Sequence, residues 1–472
     1  MSIPMRKRGN KMKRSIIFIL CAIFLLNFSC FAEELGIDEI ISIAVENSEA
    51  IKAEDSKSGK DEYEKKAVFM RFFPTISLEA KLLKLEYFPE PDKLSVDLSP
   101  VLGMLQQSLD ESMAGLPISI TLPTDIPPLE KDLGVPTHQR TLDLTVVQPL
   151  TPLWGIYQGY KALELKSEIS KLKSELTKDK IKLEIVKIYN SYNMLSDILK
   201  LLDESFEQLD RYEKNAEKFH KAGLIDETAL YKIKVERAAL EVEKEKYLGN
   251  QSVIKAALAM FMNRDEESFE IRYDKPEFRE ITKSEDQIIE AQASNRTEMK
   301  MLSKNSEIQE RLNKRAIQNF IPQVGLTFGF KKNWDSTLIN PEGVMFFGAV
   351  ARWEFGFDTA RQYYEYQAVK ASSVSTELEN IKLKKNMTLQ VKKLMADIKV
   401  LEKALEQNKT QIESAEVTQK IQEAKYEKQM TTETELLNAQ LMVKKSKTEE
   451  IANLYKYKTA VDELAIITGS EL

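Results

Sequence analysis

The chain repeats itself. Asp38-Glu39-Ile40-Ile41 and Asn47 lie over Asp286-Gln287-Ile288-Ile289 and Asn295 at an offset of 248. The match runs without a gap to Phe72-Phe73-Pro74 over Phe320-Ile321-Pro322. Farther on the offset is 206: Thr228 over Thr434, Leu258-Ala259 over Leu464-Ala465, Asn263 over Gly469. A duplication on this scale restricts the fold to two copies of one unit. The offsets, 248 and 206, differ by 42 residues, so the first copy carries that many extra between Pro74 and the next helix. They fall within 87–137, which is rich in Pro and Gly and lacks periodicity. The expected division is 33–283 for the first repeat and 284–472 for the second.

Each repeat reads as helix, hairpin, long helix, helix. Helical patterning covers about 35–72 and stops before Pro74, because the residue preceding a proline disfavours helical backbone. A helix follows over about 154–222, breaks at Ala222-Gly223-Leu224 and resumes over 226–262. The second repeat gives 284–320, 358–428, a break near Met430-Thr431-Thr432, and 433–467. Long helices of this size reach about 100 Å at roughly 1.5 Å per residue. Steps of three and four along Ile185, Ile188, Tyr192, Leu195, Leu199 and Leu202 form a coiled-coil seam. That seam is ordinary helix packing and carries no chemistry.

Four runs of 8–12 residues alternate apolar and polar: near 75–86, 139–150, 323–333 and 344–355. In the third, Val324, Leu326, Phe328 and Phe330 alternate with Gly325, Thr327, Gly329 and Lys331. This length suits a tilted strand crossing the hydrocarbon layer. A soluble sheet packed on helices would alternate in the same way. Aromatic residues at the strand-to-helix junctions, Trp154 and Tyr157 in one repeat and Trp353 and Phe355 in the other, favour the membrane, where they would form an interfacial belt. Open strand edges are not tolerated in lipid and four strands cannot close a barrel. Three chains contributing four strands each would close one of twelve. The expected fold class is therefore α+β, with long antiparallel coiled-coil helices and a shared barrel.

Residues 1–32 read as an export signal: Met12-Lys13-Arg14, an apolar run from Ile16 to Phe28, and a small-residue cleavage site ending at Ala32. The apolar run is short for a membrane anchor, which needs about 20 residues. Phe28-Ser29-Cys30 loosely resembles a lipidation site, leaving lipidation of Cys30 as an alternative, and Met12 is an alternative start. The formal net charge is −6, and six basic residues with no acid lie in this leader, so its removal leaves −12. An acidic chain argues against a nucleic-acid partner. Both cysteines lie in the leader and there are two histidines, His138 and His220, which nearly excludes zinc sites, disulfide frameworks and Cys/His catalysis. No phosphate-cradling loop or nucleophile motif is visible. The expectation is no enzyme and no cofactor.

With these features in hand, the chain resembles the TolC-like outer-membrane efflux proteins over essentially its whole mature length. Asn47-Ser48-Glu49 and Asn295-Arg296-Thr297-Glu298 look like the family's Asn/Arg-Pro-Glu motif. Phe73-Pro74 and Ile321-Pro322 resemble the prolines that open its strands, and Gln148-Pro149-Leu150 the close of the second strand. Gly223-Leu224-Ile225-Asp226-Glu227-Thr228 is similar to its Gly-Leu-x-x-x-Thr periplasmic turn. The resemblance implies a homotrimer in outer-membrane lipid, with a helical tunnel in the periplasm. The trimer would act passively with a periplasmic adaptor protein and an inner-membrane pump, in efflux or type I secretion. It places the adaptor contact at Gly223, Leu224, Thr228, Met430, Thr431 and Thr434. The second tip lacks the glycine, so its turn is expected to differ. Asp226, Glu227, Glu433 and Glu435 begin the helices after the turns; they are either macrodipole-favoured caps or, under threefold symmetry, an acidic entrance ring. A different class, a periplasmic coiled-coil adaptor or structural protein, would have one helical hairpin inserted in a Gly-rich β domain.

Overall fold

The structure, a computed structural model, describes residues 33–86, 94–112, 121–123, 126–127, 129–131, 138–276, 278, 281–335, 342–353 and 356–469. The leader, with Cys30, and Phe355 lie outside them. The chain divides into two units, one of Met1–Glu62, Leu165–Glu307 and Ser375–Leu472, the other of Tyr63–Glu164 and Ile308–Val374.

The first unit is built on helices, and four of those described next lie partly in the second unit. Strand β1 (Glu33–Leu35) precedes α1 (Ile37–Asn47) and α2 (Glu49–Phe69). The long α4 (Pro152–Lys221) turns into α5 (Glu227–Met262), then β6 (Phe269–Ile271), α6 (Glu285–Asn295) and α7 (Thr297–Ile317). The long α8 (Phe357–Glu427) turns into α9 (Glu433–Thr468). β1 and β6 pair in parallel. The helices expected over 35–72 and 284–320 are each interrupted, at Ser48 and Arg296. Both adopt extended backbone, with ψ of 120° and 126°. Ser48 Oγ accepts the Ile51 N–H at 3.3 Å, so α2 starts with its own cap. α6 begins in a capping box, Gln287 reaching back to Ser284 N–H at 3.0 Å while Ser284 Oγ accepts the Gln287 N–H; at α1 the N-cap is Gly36, and only Glu39 reaches back to its N–H, at 2.6 Å.

Three apolar clusters hold this unit. One gathers α1, α4, α5, β1 and β6 around Ile40, Ile185 and Leu258. Another gathers α6, α8 and α9 around Ile288, Val391 and Leu464. These six residues stand in pairs at offsets of 248, 206 and 206, and each is fully buried. Burying one such side chain stabilises by about 1.5–3 kcal/mol. The third cluster packs α4 and α5 against α8 and α9 beside the turns, around Leu209, Tyr212, Ile233 and Tyr426. Asn263 and Gly469, 206 residues apart, end α5 and α9 in the left-handed conformation, φ 51° and 61°.

α2 joins α4 by a different chemistry. Ser174 and Ser167 donate to Asp55 and Glu62 at 2.6 and 3.2 Å, and Ser170 donates to the buried Asp61. Lys166 adds an ion pair to Asp61 at 2.8 Å. α2 has little apolar surface to offer, and these hydrogen bonds replace it.

The second unit contains an antiparallel sheet in the order β2 (Thr75–Lys84), β5 (His138–Pro149), β7 (Gln323–Asn333), β8 (Gly343–Arg352). Phe73 and Ile321 are extended ahead of their prolines and end the helical segments before β2 and β7. Gln148 Nε2 donates to the Phe72 carbonyl at 3.1 Å. Thr151 Oγ1 donates to the Pro322 carbonyl at 2.6 Å and accepts the Val324 N–H at 2.8 Å, tying the start of α4 to β7. The segment 87–137, expected to lack regular structure, contains β3 (Leu94–Val96), α3 (Ser99–Ser112) and β4 (Leu129–Lys131); β3 and β4 pair antiparallel. Apolar residues at Val101, Leu102, Leu105 and Leu109 recur at helical spacing in α3, a signal the turn residues around it obscured.

Candidate functional site

Two helical turns and one sheet hold the residues singled out above. At the first turn Leu224 N–H donates to the Phe219 carbonyl at 2.9 Å and Gly223 N–H to that of His220 at 2.8 Å, with Gly223 at φ 73°. This is a Schellman motif, whose left-handed residue glycine adopts without strain. At the second turn Met430 N–H donates to the Lys425 carbonyl at 2.8 Å and Gln429 N–H to that of Tyr426 at 2.9 Å, with Gln429 at φ 61°. The two turns are therefore the same, which corrects the expectation that the missing glycine changes the second. Leu224 and Met430 occupy matching places and are 55% and 72% exposed, apolar side chains displayed at both tips. Thr228 and Thr434 lie in the first turns of the helices that follow, while Thr431 lies in the second loop.

The four acids separate by environment. Asp226 caps α5, accepting from the N–H groups of Thr228 and Ala229 at 3.0 and 3.3 Å and from the Thr228 hydroxyl. That hydroxyl above all, with the two N–H groups and Lys232, holds its carboxyl below the usual carboxylate range. Thr432 caps α9 in the corresponding place, accepting the Glu435 N–H at 3.3 Å. Glu433 forms an ion pair with Lys232 at 2.7 Å, and Lys232 also donates to Thr434 at 3.0 Å. Glu435 accepts from the Thr431 hydroxyl, and Glu227 lies in the first turn of α5. Lys232, absent from the sequence reading, brings a positive charge to Glu433 that only the packing of α5 beside α9 reveals. A second cross-hairpin cluster was also missed. Tyr212 donates to Glu423, and Gln419 Nε2 lies 3.0 Å from Gln208 Oε1 and 3.1 Å from the Tyr212 hydroxyl.

The sheet has two unlike faces. One row of partners runs Ile76, Val146, Phe328, Phe347, and the next row on the same face runs Leu78, Leu144, Phe330, Met345. Ile76, Leu78 and Phe347 are 70%, 68% and 82% exposed. The opposite face carries Ser77, Thr145, Gly329 and Phe346, then Glu79, Asp143, Lys331 and Val344. The Phe346 ring lies over Gly329, where a Cβ would overlap it at 2.1 Å. Among the described residues β2 and β8 have no further strand partner on their outer edges. Trp154, Tyr157 and Trp353 are exposed at the strand-to-helix junctions. No described helix is long and apolar enough to cross a membrane.

No protein-family model matches the sequence, and no curated protein matches it. Solved structures do match the fold. The chain is similar to CusC, described by its transmembrane channel formation, with a TM-score of 0.73 and 11% identity over 92% of each chain. It is similar to the outer membrane protein VceC from Vibrio cholerae, with a TM-score of 0.71 and 12% identity over 92% of this chain and 96% of that one. It is also similar to the Campylobacter jejuni CmeC outer membrane channel, with a TM-score of 0.69 and 12% identity over 92% of this chain and 85% of that one. Mostly helical with a four-stranded antiparallel sheet, the chain has the fold of these outer-membrane channels, the TolC-like architecture its motifs resemble.

Proposed function

We propose that the protein is an outer-membrane channel of an export system, localised with its sheet in the outer membrane and its helices in the periplasm. The carrying observation is the four-stranded sheet whose apolar face is exposed and whose two edges, among the described residues, lack strand partners. In water that surface and those edges are liabilities; in a trimer they become the lipid face and seams of a twelve-stranded barrel. The two repeats, 33–283 and 284–472, each supply two strands and one helical hairpin. A second surface supports the trimer: Tyr231, Val235, Val242, Val253 and Met260, all exposed, recur along one face of α5 at steps of 4, 7, 11 and 7. Two hairpins and a sheet from both repeats argue against a periplasmic adaptor, which would have one hairpin.

The channel conducts passively, with no catalytic residue or cofactor. Cargo is delivered by an inner-membrane pump through a periplasmic adaptor. That adaptor docks on Gly223, Leu224, Thr228, Met430, Thr431 and Thr434, where the apolar tips of Leu224 and Met430 supply the contact. An acidic ring falls to Glu227 and Glu435, since Asp226 is engaged as a cap and Glu433 is paired with Lys232. Trp154, Tyr157 and Trp353 form the interfacial belt. The test is heat-modifiable trimer migration from an outer-membrane fraction, together with surface proteolysis of intact cells. Cleavage within 87–137 is expected; cleavage confined to 222–226, or a monomer recovered from the soluble fraction, overturns the reading.

A further inference from the structure

At the end of the sheet where the strands pass into helices, a cavity of about 190 Å³ opens among α2, α4 and the end of α7. Its polar lining is Arg71, Arg315, Gln318 and Asn319, and no acid lines it. Two guanidinium groups thus share one small cavity in a chain whose acids outnumber its bases. Among the described residues neither arginine is in an ion pair, whereas two bases nearby are: Lys161 pairs with Glu164 at 2.6 Å and Lys314 with Glu310 at 2.5 Å. Gln318 is the second, independent sign. It is 9% exposed, lines the cavity, and neither atom of its amide has a hydrogen-bond partner. A buried amide left so costs about 1–3 kcal/mol, a cost that a ligand offering hydrogen-bonding oxygens would relieve.

The local sequence makes the space. Gly155 and Gly159 lie one turn apart on α4; a Cβ at Gly155 would come within 2.8 Å of Gln318, and one at Gly159 within 3.5 Å of the Arg315 guanidinium. Missing side chains on that face let Gln318 and Arg315 lie directly on the helix. The rest of the wall is apolar, with Val68, Ile156 and Leu163. The site is therefore amphiphilic, cationic at one part and hydrocarbon-like at another.

We propose that this cavity binds the phosphate of a phospholipid headgroup, with Arg71 and Arg315 on the phosphate oxygens, the Gln318 amide on the headgroup, and the first methylenes against Ile156 and Leu163. Paired guanidinium groups suit phosphate oxygens geometrically and electrostatically. The apolar wall favours a lipid over free phosphate. Trp154 and Tyr157, exposed on α4 beside Gly155 and Gly159, are residue types that settle at headgroup depth. The proposal rests on the outer-membrane reading, because a chain outside the membrane would not meet this ligand.

The test is native mass spectrometry of the full-length protein purified in detergent and titrated with phosphatidylglycerol, with inorganic phosphate as competitor. Discrete lipid adducts are expected on the wild type. Each of Arg71→Gln and Arg315→Gln should weaken retention about tenfold, the loss of one charge-assisted contact. Lys66→Gln, a nearby surface change, should leave retention intact. Arg→Lys variants at both sites keep the charge and should fall between, and lipid-induced rise in melting temperature gives a second readout should a Gln variant assemble poorly. Equal retention in wild type and both Gln variants overturns the proposal. So does full displacement by millimolar inorganic phosphate, which would make the site a free-anion site. A failure of this kind in a protein that still fractionates as an outer-membrane trimer leaves the channel reading standing; a protein absent from that fraction sinks both.

Discussion

Gly223 and Gln429 hold the same left-handed backbone conformation, 206 residues apart, and each closes a Schellman turn with the same pair of hydrogen bonds. One is the residue type that adopts this backbone freely; the other is held there by the turn around it. The next helices also begin alike, capped by Asp226 and Thr432. Geometry at the two tips is thus duplicated where the residues are not.

The strain at Gln429 is measurable. A side chain in this region costs about 1 kcal/mol, so Gln429→Gly should stabilise the protein by about 0.5–1 kcal/mol and Gly223→Ala should destabilise it by a similar amount. Denaturant unfolding of the purified protein checks both. Opposite signs are the expected outcome; equal signs would mean that the turns are not equivalent.

The two sheet faces should respond differently to charge. Leu78→Arg or Phe347→Arg places a cation on the face assigned to lipid, at a cost of about 2–4 kcal/mol near the bilayer centre. Ser77→Arg, one residue from Leu78 but on the other face, should cost little. Yield of heat-modifiable trimer in the outer-membrane fraction measures this, and equal losses from the two faces would reject the assignment.

Asp61 gives the α2–α4 contact a pH dependence. Burial opposes its ionisation, but Lys166 and the Ser170 hydroxyl outweigh burial and hold its carboxyl below the usual range. A depressed folded-state pKa contributes stability above the unfolded value, about 3.9, and loses it as pH falls through the folded value. Asp61→Asn should therefore be less stable than wild type at pH 7, by about 1–2 kcal/mol for buried hydrogen bonds. The gap should close as pH is lowered below about 4. A gap that stays constant to pH 3 would show that Asp61 contributes through packing alone.

At the first tip a Cβ added to Gly223 meets no atom within 4 Å. Gly223→Trp therefore projects its ring outward, at the conformational cost already described, and trimers should still assemble while export fails. Normal export from such trimers would reduce Gly223 to a turn residue.

The acids at the tips should also separate. Glu227→Gln combined with Glu435→Gln should weaken cation selectivity of reconstituted channels, whereas Glu433→Gln, which loses a partner already neutralised by Lys232, should change it little. Single-channel reversal potentials decide; selectivity untouched by the double change leaves these acids as helix-start residues and moves any filter elsewhere.

By itself the sequence determined the elements, since their causes are local. Pro74 and Pro322 force extended backbone at Phe73 and Ile321 and so end the helices there. Period-two alternation marks the four strands, and steps of three and four mark α4. Duplication carried further than expected, into Ile40 with Ile288 and Leu258 with Leu464 at the centres of two separate clusters. A helix start hidden inside a continuous pattern, as at Ser48 and Arg296, was less legible, because one non-helical ψ leaves hydrophobic spacing intact.

Tertiary structure decided what lies beside what. Lys232 reaches Glu433 across 201 residues, and Tyr212 reaches Glu423 across 211, distances at which spacing carries no information. Gln429 is left-handed because backbone hydrogen bonds and the adjoining helices overdetermine it, whereas its own side chain disfavours that state. The cavity between Arg71 and Arg315 depends on two glycines of α4, Gly155 facing Gln318 and Gly159 facing Arg315, which becomes visible only once the helices are packed. Backbone preference and periodicity act over a few residues and can be read along the chain; charge pairing and cavity formation act through space and require the fold.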